Sequence, residues 1–76
     1  DLKPENYYVI DFTNYKTKAG KMMAHTIVSD AQKKLIRSIA FPHNYARALG
    51  KMKPGHNVEL MFSKTEDGTI VVKDIK

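Results

Sequence analysis

One short helical stripe, set between two stretches patterned for strands, limits what this chain can fold into. From His43 to Met52 good helix formers dominate, and Tyr45, Ala48, Leu49 and Met52 fall at i, i+3, i+4 and i+7. Pro42 suits the first turn of that helix, because the amide it lacks would have no partner there. Gly50 weakens the far end, and Lys53, Pro54 and Gly55 stop it. A helix of about two to three turns is therefore expected after Phe41 and before His56.

Everything before Pro42 reads as β. Tyr7 to about Lys16 is rich in aromatic and β-branched residues and free of Gly and Pro, which predicts a strand, long enough to bend. Lys21 to Asp30 predicts a second strand. Alternation sets Met22, Ala24, Thr26 and Val28 against Met23, His25, Ile27 and Ser29, and both faces carry apolar groups, so the pattern does not say which one is core. After a polar turn at Asp30 to Lys33, Leu35 to Phe41 predicts a third strand, and the short connections imply an antiparallel meander. Beyond the helix, His56 to Lys64 carries Val58, Leu60 and Phe62 on one face, Glu66 to Gly68 forms a hairpin turn, and Thr69 to Ile75 predicts the last strand. Residues 1–6 read as a polar leader or linker, and 7–76 as one domain.

Three strands, a helix and two strands is the element order of the OB-fold, a partly open five-stranded Greek-key barrel whose helix plugs one end. A small barrel of the SH3-like kind is the rival, and it does not call for a real helix between strands three and four. The fold expected is mainly β, a five-stranded OB barrel with one short helix between strands 3 and 4.

Seventy-six residues bury only a thin core, and with no cysteine neither a disulfide nor a thiolate metal site supplements it. The longest apolar runs fall far short of the ~20 residues needed to span a bilayer, and the N-terminus lacks the pattern of a signal peptide, so a cytoplasmic chain with no membrane partner is expected. Its abrupt start suggests a monomeric module excised from a larger protein. His25, His43 and His56 lack the spacing of metal ligands, and no nucleophile, carboxylate pair or Gly-rich phosphate loop is in place for catalysis. A non-catalytic domain needing no metal or cofactor is expected.

The net charge is +5 and the isoelectric point near 9.6, which favours polyanionic partners. Between Tyr15 and Arg37 the basic residues Lys16, Lys18, Lys21, Lys33, Lys34 and Arg37 meet a single acid, Asp30, whereas basic and acidic residues balance elsewhere. The stretch TNYKTKAGKMMAHTIVSD, Thr13 to Asp30, thus predicts a hairpin with a cationic tip, in which Gly20 supplies the positive φ that such a loop requires. Three ammonium groups on so short a loop stand in water or meet an anion. Tyr15, beside them, either stacks on a base or covers the barrel rim, while Phe12 and Tyr45 are assigned to the core.

The run KTKAGKMMA, the following strand closing at Asp30, and FPHNY at Phe41 to Tyr45 together resemble the OB domain of the bacterial replicative DNA polymerase III alpha subunit. The resemblance extends from about Tyr8 to Ile75. It implies a single-stranded DNA binding module near the entering template, in contact with the rest of a parent polymerase and with other replisome proteins. On this resemblance Lys16, Lys18 and Lys21 occupy the matching basic turn. His25 stands where an aromatic of the second strand often lies, and Arg37 where family members often carry an acid. Polymerase catalysis would lie elsewhere in such a parent, because this chain has no magnesium-holding carboxylate cluster.

The candidate nucleic-acid-binding residues are therefore Tyr15, Lys16, Lys18, Lys21, His25, Lys34 and Arg37. The function expected is sequence-tolerant binding of single-stranded DNA. Its alternatives are a protein-interaction or scaffold domain in a replication assembly, with solvated lysines, and an RNA-binding OB domain.

Overall fold

The structure is a computed structural model that describes residues 3–76. Its elements are β1 (Glu5–Lys16), β2 (Met22–Ser29), β3 (Leu35–Ala40), α1 (Pro42–Lys51), β4 (Asn57–Lys64) and β5 (Ile70–Ile75). The strands close a barrel in the order β1-β2-β3-β5-β4, so the fold is the five-stranded OB type expected from the element order. Strand β1 begins at Glu5, earlier than the β-branched run at Tyr7, because Glu5 and Asn6 pair with Leu60 and Glu59 of β4. Glu5 and Asn6 therefore belong to the barrel wall rather than to the expected leader; Asp1 and Leu2 lie outside the described residues.

Closure rests on the bend in β1. Its first residues pair with β4 and the remainder, from Tyr8 to Lys16, with β2. Just past the residue shared by both ladders, Tyr8, the β1–β2 register skips Ile10, an irregularity that bends the strand as it leaves β4. The last seam is thinner: β3 and β5 run parallel and share the single pairing Ile39 with Val71.

Alternation resolves once the barrel is closed. Ala24, Thr26 and Val28 face inward and His25 faces out, while Val58, Leu60 and Phe62 form the buried face of β4. Tyr7 meets Phe62 edge-on, with ring centroids 5.1 Å apart. Burial, with the Glu5 carboxylate beside it, pushes the Tyr7 phenol above its usual range. The inward hydroxyls of Thr26 and Ser38 sit opposite one another in register and hydrogen-bond across the strands.

Helix α1 closes one end, packing against β2, β3 and β5. Ala24 and Ala40, cross-strand partners with no exposed surface, line the wall near its start and leave room for it. Ala48 and Met52 enter the core and Tyr45 packs against it, but Leu49, expected on the same stripe, is 45% exposed. The helix touches the barrel with a narrower arc than its apolar residues describe. The Asn44 side-chain amide donates to the carbonyls of Val72 and Lys73, and Arg47 lies 3.6 Å from Asp74, so the first turns of α1 are tied to β5.

Three hairpin turns share one design. In Thr17–Lys21, Asp30–Lys34 and Thr65–Thr69 the first residue's amide donates to the fifth residue's carbonyl, and the fourth residue's amide donates back to the first residue's carbonyl. The first side chain, a hydroxyl or carboxylate oxygen, accepts from the fifth amide. The fourth position has positive φ, held by Gly20 (82°), Lys33 (64°) and Gly68 (90°). Only Lys33 bears a side chain there, at a steric cost of roughly 1 kcal/mol.

Opposite effects are expected at equivalent positions. Gly20→Ala, with open space around the new methyl, introduces backbone strain and lowers stability by about 1 kcal/mol, while Lys33→Gly raises it by about 0.5 kcal/mol. Urea unfolding of the two variants checks both signs. For the buried hydroxyl pair, Thr26→Val or Ser38→Ala alone is expected to cost about 1–3 kcal/mol by stranding its partner. The double variant should lose less than the sum, as a double-mutant cycle will read out.

Candidate nucleic-acid interface

The outer face of β1, β2 and β3 presents the exposed side chains of His25 and Arg37 and the half-buried ones of Tyr15 and Ile39. Register places its rows. Tyr15 lies opposite Met23, Thr13 opposite His25, His25 opposite Ile39, and Ile27 between Asp11 and Arg37. Partners directly opposite share a face, so Tyr15, His25, Arg37 and Ile39 are all presented outward.

The Tyr15 ring lies diagonally across from His25 and stacks on it, centroids 4.7 Å apart and planes inclined by 19°. The Tyr15 hydroxyl reaches the Met23 sulfur at 3.7 Å, which anchors the far edge of the ring. Tyr15 is half-buried and His25 exposed, so the two rings form a supported platform with imidazole outermost. Sequence reasoning singled out each residue separately; the structure brings them together.

Beyond His25 a cavity of about 200 Å³ lies over the β3–β5 seam, lined by His25, Arg37, Ser38, Ile39, Thr69 and Ile70. It adjoins a larger cavity of about 440 Å³, lined by Ile39, Phe41, Thr65, Glu66, Asp67 and Thr69. Shared residues Ile39 and Thr69 make them one trough, running from the platform to the β4–β5 turn. Arg37 is exposed on its wall and, among the described residues, has no ion-pair partner.

The predicted lysines divide. Lys18 and Lys21 belong to the β1–β2 turn beyond the end of β2, with Lys18 between the hydrogen-bonded residues Thr17 and Gly20. Lys16 pairs with Met22, which puts it on the opposite parity from Tyr15 and Met23 although it too is exposed. Lys34 lies in the β2–β3 turn, at the other end of the eight-residue β2 and so roughly 20–25 Å from the first turn. There its amide donates to the Asp30 carboxylate. The structure thus gathers Tyr15, His25 and Arg37 on one face, with Lys18 and Lys21 at its edge, and sets Lys34 apart.

The β4–β5 turn was missed as a site element. Its signal is the spacing Thr-x-x-Gly, found at Thr65 to Gly68 as at Thr17 to Gly20, which builds the same projecting turn. In it Asp67 accepts from the Thr65 hydroxyl and the Thr69 amide, and these bonds, the Thr65 one foremost, hold its carboxyl below the usual value of 3.8. Among the described residues no three His, Asp or Glu side chains cluster as a metal site would require, and no helix is long and apolar enough to cross a membrane.

The topology and the outer β2–β3 face with its two flanking turns define the class: an OB-fold barrel. Comparison with known proteins finds no matching family model, no matching curated protein and no matching solved structure.

Because Asp67 is held ionised by bonds that need its charge, its contribution to the turn is present at neutral pH and is lost as pH falls through its lowered pKa. The Thr69 amide proton is expected to titrate with a midpoint below 3.8, followed by NMR, and Asp67→Asn should abolish that titration.

Proposed function

We propose that this domain binds single-stranded nucleic acid, DNA in the first instance, across the outer face of β2 and β3, without catalysis of its own. The observation that carries the reading is the Tyr15–His25 stack on the outer face, with the Arg37 guanidinium, which has no ion-pair partner among the described residues, beside His25 in the same trough. A base has a planar surface to lie on, and its phosphates have a cation within the same groove.

The physics fits an unpaired strand better than a duplex. Stacking on a ring requires a base free of its own neighbours, and it tolerates any base because each has a π face. Lys18 and Lys21 at the edge of the platform supply sequence-independent attraction by releasing counterions from the backbone. Lys16, on the opposite parity, contributes to the general field, and Lys34 serves only a strand long enough to follow β2 to its far turn. The resemblance to the polymerase III alpha OB domain agrees with this placement, and makes a replicative polymerase, with its other replisome proteins, the proposed parent assembly. An RNA strand offers the same bases and phosphates, and competition between matched DNA and RNA oligonucleotides separates the two.

A second reading, attachment to a protein, draws on the opposite end of the same face. Tyr8 (45% exposed) and Leu35 (55%) flank Ser29 in one cross-strand row, with Ile10 (42%) at the irregularity of β1 close by.

Anisotropy titration of a labelled oligonucleotide against salt separates the two. Nucleic-acid binding is expected to weaken steeply with salt, and Lys18→Ala with Lys21→Ala should make the logarithmic slope shallower by about 0.7 for each phosphate contact removed. His25→Ala should cost about 1–3 kcal/mol with the slope unchanged. Affinity and slope unaltered in both the double-lysine and the His25 variants, with the fold intact, would remove the hairpin and the platform from the interface.

A further inference from the structure

The trough has two electrostatic ends. Arg37 lines the smaller cavity beside His25, whereas Glu66 and Asp67 line the larger cavity at the β4–β5 turn. Phosphates are repelled by carboxylates, so a strand held by the cations turns its bases, not its backbone, toward the cavity.

What lines that cavity suits one base. Its surface is largely apolar, with Ile39 and the half-buried Phe41 as flat or bulky contacts for a ring face, and its volume of about 440 Å³ lies in the range of ligand-binding clefts. Its two carboxylates differ. Asp67 is already engaged by Thr65 and Thr69, while Glu66 has no hydrogen-bond or ion-pair partner among the described residues. An ionised carboxylate only accepts, and it accepts best from two adjacent donors. Guanine offers such a pair, N1–H beside the N2 amino group. Cytosine and adenine offer one amino group beside a ring acceptor, and the N3–H of thymine lies between two carbonyl oxygens that a carboxylate repels.

We infer that the cavity between the β3 end and the β4–β5 turn is a base-selective subsite that takes guanine, with Glu66 accepting from its Watson–Crick edge. The inference rests on the single-stranded nucleic-acid reading above and adds to it a preference at one position of an otherwise sequence-tolerant groove. Discrimination comes from the carboxylate, because Ile39 and Phe41 pack against any base.

The test uses short T-rich DNA oligonucleotides, with isolated guanines, cytosines or adenines at matched positions, titrated by anisotropy at low salt against the wild type and Glu66→Gln. Wild type is expected to bind the guanine-bearing oligonucleotide about tenfold more tightly than its all-T, cytosine and adenine counterparts. Glu66→Gln, whose amide presents a donor where guanine also presents donors, should reduce that ratio to below about twofold. Circular dichroism checks that this exposed turn variant remains folded. If every oligonucleotide binds wild type equally, or the guanine preference survives Glu66→Gln, the subsite assignment is overturned while the groove reading stands. If the folded wild type binds none of them, the groove reading is overturned and the subsite with it.

Discussion

A strand that must serve two neighbours holds this molecule together. Strand β1 pairs with β4 at one end and β2 along the other, and its bend past Ile10 brings the sheet round on itself. With that bend in place, the single parallel pairing of Ile39 with Val71 is enough to complete the barrel, since α1 is fastened to β5 through Asn44 and Arg47 from the other side. The arrangement spends the helix on one end of the barrel and leaves His25 and Arg37 exposed on the outer surface of β2 and β3. A domain of this size buries little, and the surface it leaves open is correspondingly large.

That open surface is chemically graded. An aromatic and an imidazole ring are stacked near its middle, cations stand at the β1–β2 turn and at Arg37, and carboxylates stand at the β4–β5 turn. The two flanking turns are built alike, yet Thr17 to Lys21 carries lysines where Thr65 to Thr69 carries Glu66 and Asp67. One backbone solution to the hairpin problem therefore carries opposite charges in the two turns. A flexible polyanion with flat, differently edged bases matches such a gradient more closely than a uniformly charged surface would.

Much of the architecture was legible in the residues, and the reasons are local. Pro42 at a helix start, Gly20 and Gly68 at positive φ, and the Val58, Leu60, Phe62 alternation each depend on chemistry within a few positions. What was not legible depends on the closed sheet. The inward face of β2 could not be chosen because Met23 and Ile27 are as apolar as Ala24 and Val28; only closure turns His25 outward. Glu5 and Asn6 look like linker residues until β4 arrives to pair with them, and Leu49 looks buried until α1 is seen to touch the barrel along a narrow arc. For the candidate site, the charge pattern pointed to Arg37 and to Tyr15 beside the lysines, and the family resemblance to His25, but their meeting on one face is a matter of register. The same register puts Lys34 at the far end, and Glu66 went unsuspected because the Glu66–Gly68 run reads as an ordinary hairpin turn until β5 is seen to lie beside β3.

The central claim is that an unpaired strand lies on the outer face of β2 and β3. Amide chemical-shift mapping during titration with a short single-stranded oligonucleotide tests it most directly. The account predicts that Tyr15, His25, Arg37, Ile39 and Thr69 move together, with Lys18 and Lys21 following and α1 unmoved. Shifts concentrated on α1, or on the row of Tyr8, Ser29 and Leu35, with the Tyr15–His25 platform silent, would contradict it.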